Sequence, residues 1–250
     1  MVMKANNLKY EETKFRKLDN FVYERKYDGS RTLYMSGKIV SDKRDGFKEK
    51  RYPHISKALN NFNGVLDGEL WVKSDRVTEL SKTENWNEAI FVVFDILEYK
   101  GKNLRQLPLK ERRKILEEQD FKLPIMITEQ YATLKEAWDL AEDRDWEGLI
   151  AKNLDSNYVE KRSNYWLKIK RYKEAVVTID EWEQGKTHGT FICNDGNLND
   201  IRVGALSVKY IEEYLKAIKE GKIIKAEIQY LNKTNTGHYF QPCLKRLLIV

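Results

Sequence analysis

Short strand-like segments, with only a few helical ones between them, dominate the first 170 residues of the chain. Strands and helices do not alternate regularly, so a mixed α+β fold fits better than a doubly wound parallel sheet. Aromatic and β-branched runs with period-2 alternation predict strands at Phe21–Lys26, Arg31–Met35, Lys38–Val40, Val65–Val72, Ile90–Leu97, Ile125–Gln130, Gly148–Ala151 and Trp166–Ile169. Helices are predicted at His54–Asn61, Leu109–Gln119 and Leu134–Glu142, the last after the potential N-cap Thr133.

The sequence pattern changes near Arg171, and the last 80 residues are typical of a smaller second domain. Strands are predicted there at Ala175–Glu183, Thr190–Cys193, Asp200–Val203, Lys225–Leu231 and Leu244–Val250, with a helix at Val208–Lys219. About five short strands and one helix favour a small barrel of the oligonucleotide-binding (OB) type. We therefore predict two domains, residues 1–170 and 171–250, with the basic run Lys168–Lys173 as a hinge that lines a cleft.

Composition narrows the class of partner. The net charge of +6 and the pI of about 9.0 favour polyanions such as nucleic acid. No apolar run has the length of a membrane span, and the first twenty residues lack a signal-peptide core, so a cytoplasmic location is expected. The two cysteines and three histidines show no zinc-ligand spacing, and a reducing compartment is the simpler assumption.

A lysine stands at the end of a strand where the chain enters a tight, charged turn. The segment is Lys26-Tyr27-Asp28-Gly29-Ser30-Arg31, in which Asp28-Gly29 is the turn signal. A lysine amine is a nucleophile only when neutral, and an unperturbed lysine is mostly protonated at neutral pH. Nearby cations such as Lys168 and Lys170 would disfavour the ammonium form. The alternative interpretation is an exposed hairpin with solvated charges.

Several other side chains have the chemistry to handle a nucleoside triphosphate. In the strand Trp166–Lys170, period-2 alternation puts both lysines on one face with Trp166, and Leu167 and Ile169 on the other. Asp67-Gly68-Glu69 is expected to end a strand and Glu147-Gly148 to begin one, and their carboxylates suit Mg²⁺ or ribose hydroxyls. An aromatic ring such as Phe94 can stack on a purine. Taken singly, each is more often a core residue or a solvated charge, so the argument depends on their joint occurrence.

These elements, in this order, resemble the signature motifs of the covalent nucleotidyltransferases, specifically compact ATP-dependent DNA ligases of phage, viral and bacterial type. Tyr23–Arg31 resembles the nucleophile motif, and Ser41–Gly46 more loosely resembles the adjacent arginine-bearing element. Leu107–Arg113 is similar to a helix start common in ligases. The four remaining motifs are matched by Leu66–Leu70, Phe91–Leu97, Trp146–Lys152 and Trp166–Lys170.

The resemblance implies an adenylation domain joined by a flexible hinge to an OB-fold barrel, acting as a monomer on nicked duplex DNA with ATP and Mg²⁺ or Mn²⁺. It implies that Lys26 attacks the α-phosphate of ATP, that AMP passes to the 5′-phosphate of a nick, and that the 3′-hydroxyl then releases AMP. It also implies that Glu24 lies at the edge of adenine and that Phe94 stacks on the adenine ring. Glu69 would bind the ribose or the metal, Glu147 would bind the metal, and Lys168 and Lys170 would bind the α-phosphate. Arg31 and Arg44 would contact the ribose, the phosphates or the 5′-phosphate of the nick.

One departure from the family pattern concerns the end of the chain. Ligases usually carry a motif of the R-x-D-K kind near the last strand of the barrel, which orients pyrophosphate in the first step. Here the chain ends Pro242–Val250 without an aspartate, and Lys245 or Arg246 are the possible substitutes. Two other readings stay open: RNA ligation or GTP-dependent RNA capping, which use the same lysine motif, and a non-catalytic nucleic-acid-binding clamp.

Overall fold

The computed structural model describes residues 2–41, 50–74, 76–185, 188–198, 200–234 and 236–250. The chain forms two compact units, Met1–Arg171 and Tyr172–Val250. Among the helices within these ranges, none is both long enough and apolar enough to cross a membrane.

The first unit consists of two β-sheets with helices packed on them. One sheet has the strand order β1-β10-β9-β2; the other has the order β4-β3-β5-β6-β7, with β8 beside β6. Most neighbouring strands are antiparallel, while β1–β10 and β6–β8 are parallel, so the expected α+β fold with mixed sheets is confirmed. The strands are β1 (Lys4–Asn7), β2 (Phe21–Arg25), β3 (Ser30–Met35), β4 (Lys38–Ser41), β5 (Gly64–Trp71), β6 (Ile90–Tyr99), β7 (Lys102–Asn103), β8 (Ile125–Ile127), β9 (Gly148–Asn153) and β10 (Arg162–Lys170).

The three helices of this unit overlap the predicted ones: the first two end two or three residues earlier than predicted, and the third ends one residue later. They are α1 (Pro53–Ala58), α2 (Leu109–Glu117) and α3 (Leu134–Asp143), and 3-10 turns lie at Tyr10–Phe15, Val77–Ser81 and Thr83–Glu88. The predicted N-cap is confirmed, because the Thr133 hydroxyl accepts a hydrogen bond of 3.2 Å from the Glu136 N–H. On β10, Leu167 and Ile169 are fully buried in the core beneath α3, as their alternation predicted.

One sequence-based expectation for this unit was wrong, and one strand was not predicted. The segment Asp67-Gly68-Glu69 lies in the middle of β5 rather than at its end, and Asp67 is completely buried. Gly68 allows this, since a Cβ there would clash with the Val92 carbonyl oxygen of β6. The second miss is β1, whose sequence Lys-Ala-Asn-Asn has neither an apolar alternation nor β-branched residues. It forms because β10 offers an open edge to pair with.

The second unit contains a sheet of strand order β13-β12-β11-β14-β17 and a helix. Its core is formed by apolar residues of that sheet and by the inner face of the helix, including Phe191, Val203, Tyr214 and Ile228. Its elements are β11 (Lys173–Gln184), β12 (Gly189–Asn194), β13 (Ile201–Leu206), α4 (Val208–Lys219), β14 (Ile224–Tyr230), β15 (Asn232–Lys233), β16 (Tyr239–Phe240) and β17 (Cys243–Ile249).

Candidate active site

A cavity of about 460 Å³ opens in the first unit and is lined by strands of both its sheets. The strands β1, β2, β9 and β10 contribute from one sheet, and β3, β5 and β6 from the other. Six of the predicted site residues meet on its wall, although they are scattered along the sequence: Glu24, Lys26, Arg31, Glu69, Phe94 and Lys168.

Strand pairing explains how Lys26 reaches Glu147, a residue far away in the sequence. Strand β9 lies between β2 and β10, and Glu147 immediately precedes it. On one side the Lys26 N–H donates a hydrogen bond of 2.9 Å to the Gly148 carbonyl; on the other side Lys170 is the partner of Gly148. Both ammonium groups therefore face one carboxylate. Lys26 Nζ forms an ion pair with Glu147 Oε2, and Lys170 Nζ lies 3.8 Å from Oε1.

Two glycines permit the close backbone approaches at this point. Gly148 has a φ of 149°, and a Cβ there would clash with the Ile169 carbonyl oxygen of β10. In the turn after Lys26, a Cβ on Gly29 would clash with the Leu70 carbonyl oxygen of β5. Both glycines therefore keep the potential nucleophile and its carboxylate next to the sheets.

Lys168 lies among other cations on the cavity wall. Burial lowers the pKa of Lys168, and the positive charges of Lys170, Arg162 and Lys26 lower it further. Like charges in one place are relieved by an anion, so this part of the cavity favours a phosphate.

Among the described residues, Lys152, unlike Lys168, has a carboxylate partner inside the protein that compensates its charge. This fully buried residue has its Nζ 2.7 Å from Glu24 Oε2 and 3.3 Å from the Phe94 carbonyl oxygen. Burial lowers the pKa of Lys152, while Glu24 opposes the shift. The other carboxylate oxygen of Glu24 accepts a hydrogen bond of 2.9 Å from Gln130. Glu24 is thus held in one orientation.

Arg31 and Phe94 form a second fixed part of the wall. The Arg31 guanidinium binds the buried Asp67 through two hydrogen bonds of 2.9 and 2.6 Å, and Tyr158 donates another of 2.6 Å to Asp67. Although burial opposes its charge, Asp67 raises the pKa of Arg31, which therefore stays cationic. The guanidinium lies 5.0 Å from the centre of the Phe94 ring and 5.4 Å from that of Trp166.

Sequence reasoning gave no role to several residues that line the cavity, among them Lys4, Lys152 and Arg162. A signal for Lys152 was present, because period-2 alternation in β9 places Leu149 and Ala151 in the core and Ile150 and Lys152 on the cavity face. Lys4 and Arg162 gave none, since Lys4 lies on the unpredicted strand β1 and Arg162 lies in the first part of β10, ahead of the predicted strand Trp166–Ile169.

A comparison with protein families shows which family has this arrangement of residues. Residues 2–170 match the family model for the ATP-dependent DNA ligase domain. The chain belongs to the ATP-dependent DNA ligase family. The resemblance inferred from the motifs is therefore confirmed, and the family implies the use of ATP.

Individual ligases resemble the chain to different extents. The DNA ligase of Methanocorpusculum labreanum is 30% identical over 205 residues, which cover 70% of this chain and 38% of that protein. The end-joining protein LigD of Bacillus subtilis is 28% identical over 200 residues and is covered to 32%. The chain thus spans about a third of the length of these relatives. Among solved structures, a Lig E DNA ligase aligns with a TM-score of 0.74 at 14% identity, covering 99% of this chain and 98% of that one. At that identity the likeness concerns the fold.

Few side chains at this site could hold the predicted metal ion. Within the described ranges, no group of three or more His, Cys, Asp or Glu side chains is placed to hold an ion. Mg²⁺ is commonly held by one or two carboxylates together with substrate phosphates. Glu147 fits that pattern as a single hard donor, with the phosphates of ATP supplying further oxygens.

The remaining predicted residues lie elsewhere. Arg44 is outside the described residues. Lys245 and Arg246 belong to β17 in the second unit, where Lys245 Nζ lies 2.6 Å from Glu174 and 2.9 Å from Glu227. Arg246 also pairs with Glu227, and hydrogen bonds from the two cations hold the pKa of Glu227 at about 2. Their assignment to the missing ligase motif stays a prediction.

Proposed function

We propose that the protein is an ATP-dependent DNA ligase that seals nicks in duplex DNA through a lysyl-AMP intermediate on Lys26 and an adenylated 5′-phosphate. The observation that carries the proposal is the ion pair of Lys26 with Glu147, with Lys168 and Lys170 beside it. A nucleophile, a proton acceptor and two phosphate-binding cations are thereby assembled at one point.

In the first step of the proposed reaction, AMP is transferred from ATP to Lys26. Lys26 gives a proton to Glu147, and its free amine attacks the α-phosphorus of ATP. A nitrogen–phosphorus bond forms, the bond to the bridging oxygen breaks, and the electron pair leaves with pyrophosphate. The nitrogen then loses a second proton, which passes to solvent water or to the departing pyrophosphate, and the phosphoramidate is formed. Lys168 and Lys170 stabilise the charge that grows on the phosphate oxygens.

We assign the nucleoside of ATP to the part of the cavity where each cation is already paired with a carboxylate of the protein. We place adenine against Phe94 with its amino group toward Glu24, and the ribose near Glu69 and Arg31. Glu24 is held by Lys152 and Gln130, so its carboxylate is a fixed acceptor. Guanine would turn a carbonyl oxygen toward that acceptor, which favours ATP over GTP. Mg²⁺ at Glu147 would add charge neutralisation at the phosphates.

We further propose that residues 1–170 are the adenylation domain and residues 171–250 an OB-fold domain that binds the duplex. The support is the strand order β13-β12-β11-β14-β17 with its one long helix, and the likeness to ligases over almost the whole chain. Nicked duplex DNA, bound by a monomer, is the proposed partner.

The direct test is joining of a nicked duplex with a labelled 5′-phosphate in the presence of ATP and Mg²⁺. Sealed product is expected with ATP and not with GTP, and chelation of the metal should stop it. Labelled ATP should leave AMP on the denatured protein. A protein that seals only nicked RNA, or that takes GTP instead, supports the other enzymatic readings. Tight nick binding without joining, even after adenylation of the protein, supports a non-catalytic clamp.

Lys168→Ala is expected to slow adduct formation by about 10²-fold or more, because a cation that stabilises the transition state is lost. Nick affinity of the adenylated protein should change much less. The measurement is the rate of labelled AMP transfer to protein, with nick binding followed by gel shift. Lys122→Ala, a lysine on the exposed surface, is the matched control. Adduct formation by Lys168→Ala at the wild-type rate would refute the phosphate assignment.

A further inference from the structure

One buried tyrosine lies behind the part of the cavity wall that Arg31 and Phe94 form. Tyr158 is in the connection between β9 and β10, is 3% exposed and does not line the cavity. Its ring meets that of Trp166 edge to face, with the ring centres 5.9 Å apart. Any effect of Tyr158 on a ligand in the cavity must therefore pass through other side chains.

Neighbouring groups fix the direction of the Tyr158 hydroxyl hydrogen. The Met3 N–H donates a hydrogen bond of 3.0 Å to the Tyr158 oxygen, so the oxygen is the acceptor on that side. The hydroxyl hydrogen then points to Asp67 Oδ2, at an oxygen–oxygen distance of 2.6 Å. Burial raises the pKa of the Tyr158 phenol, and the charge of Asp67 raises it further, so the hydroxyl stays protonated and remains a donor.

Asp67 transmits this constraint to Arg31. Its carboxylate is completely buried, so protein donors rather than bulk water set its orientation. Oδ1 accepts a hydrogen bond of 2.9 Å from Arg31 Nε, and Oδ2 accepts one of 2.6 Å from Arg31 Nη2 as well as the one from Tyr158. The carboxylate thus holds one edge of the planar guanidinium, while the tyrosine holds the carboxylate.

Arg31 keeps donors for a ligand in the cavity. It lines the cavity, and among the described residues none accepts a hydrogen bond from its Nη1. Its partner across the strand pair β3–β5 is Glu69, which lines the same cavity. A ribose hydroxyl both donates and accepts, so a guanidinium donor beside a carboxylate acceptor suits the sugar. A rotation of Asp67 would move the Arg31 donors away from that position, because two hydrogen bonds couple the two groups.

We propose that Tyr158 is a positioning residue of the nucleotide site, whose hydroxyl fixes Asp67 and thereby aims Arg31 at the ribose hydroxyls of ATP. This deepens the proposed function and rests on it. The hydroxyl acts on the ribose and not on the phosphate that Lys26 attacks. Its loss therefore weakens the binding of ATP and leaves the bond-forming step of the bound complex nearly unchanged.

Tyr158→Phe is the direct test, because it keeps the ring against Trp166 and removes only the hydroxyl. Labelled adduct is followed over time at increasing ATP concentrations, which gives a half-saturating concentration, a maximal rate and the fraction of protein that reacts. The half-saturating ATP concentration should rise about fivefold or more, and the maximal rate should stay within about twofold of wild type. Tyr165→Phe, an exposed tyrosine of β10 outside the cavity lining, is the matched control.

Two further comparisons show whether the effect passes through Arg31 to the ribose. With dideoxy-ATP, which lacks both ribose hydroxyls, Tyr158→Phe and wild type should have half-saturating concentrations within about twofold of each other, because Arg31 has no hydroxyl to bind. In a double-mutant cycle, adding Tyr158→Phe to Arg31→Lys should change the half-saturating ATP concentration by less than about twofold, since the effect requires the guanidinium fork.

The outcomes separate the two levels of the proposal. A wild-type protein that forms no lysyl-AMP refutes the proposed function itself. Where the wild type does form it, an unchanged half-saturating ATP concentration in Tyr158→Phe refutes the positioning role, and so does an equal rise for ATP and dideoxy-ATP. A smaller reacting fraction with an unchanged dependence on ATP identifies a purely structural residue and also refutes it. Asp67→Asn keeps the test decisive even where Tyr158→Phe does not fold, because it loosens the same guanidinium and should give the same difference between the two nucleotides.

Discussion

Lys26→Ala is expected to abolish the protein–AMP adduct, with no labelled protein above background after denaturation. The substitution removes the only atom that forms the covalent bond in the proposed first step, so the loss should exceed about 10³-fold. The measurement is transfer of labelled AMP from ATP to the protein in the presence of Mg²⁺.

Two controls define what this result means. Lys135→Ala removes an exposed lysine on α3 and should form adduct at the wild-type rate. A nick whose 5′-phosphate already carries AMP should still be sealed by Lys26→Ala at a measurable rate, because the 3′-hydroxyl is then the nucleophile. If Lys26→Ala still forms an adduct, another residue is the nucleophile and the mechanism is wrong.

Arg112→Met is expected to give the largest loss of stability, about 3–5 kcal/mol in the free energy of unfolding. Arg112 is fully buried and binds Asp95 through two hydrogen bonds of 2.8 Å. It also donates to the carbonyl oxygens of Leu107, at 2.5 Å, and Ser156, at 3.1 Å. Its removal leaves the buried Asp95 carboxylate without its ion-pair partner. Urea unfolding of both proteins measures the difference.

The matched control on the same helix is Lys114→Ala. Lys114 is exposed and its contact with Glu111 spans 3.3 Å, so its loss should change the stability by less than about 0.5 kcal/mol. The double variant Arg112→Met with Asp95→Leu should recover part of the stability, since no unpaired charge remains. A loss below about 1 kcal/mol for Arg112→Met would contradict the assigned role of this ion pair.

That ion pair also gives a physical reason for one of the sequence motifs. The helix start Leu107–Arg113 resembled a ligase segment, but nothing in the sequence indicated what it did. In the structure Arg112 ties α2 to Asp95 of β6, the strand that presents Phe94 to the cavity. The pairing of Arg112 with Asp95 was not predictable, because arginine and aspartate are ordinarily exposed. A helical pattern in the sequence also does not indicate which strand the helix packs against.

Local patterns predicted strand faces well and long-range pairing poorly. Alternation in Trp166–Lys170 correctly separated the core side chains from the two lysines. The meeting of Lys26 with Glu147 depends on β9 lying between β2 and β10, and no local pattern sets that order. The prediction that Lys26 and Glu147 belong to one site came from the resemblance to the family motifs. The alternation of β9 indicates the face on which Lys152 lies, but its ion pair was not predictable, because a completely buried lysine is rare and its partner Glu24 lies on another strand.

The edge position of β1 has a practical consequence for any longer version of this polypeptide. Residue 4 already lines the cavity, so a segment joined ahead of it begins within about 10 Å of that wall. An affinity tag or fused module attached at that end would begin close to the cavity wall, whereas one attached after β17 would be joined to the second unit.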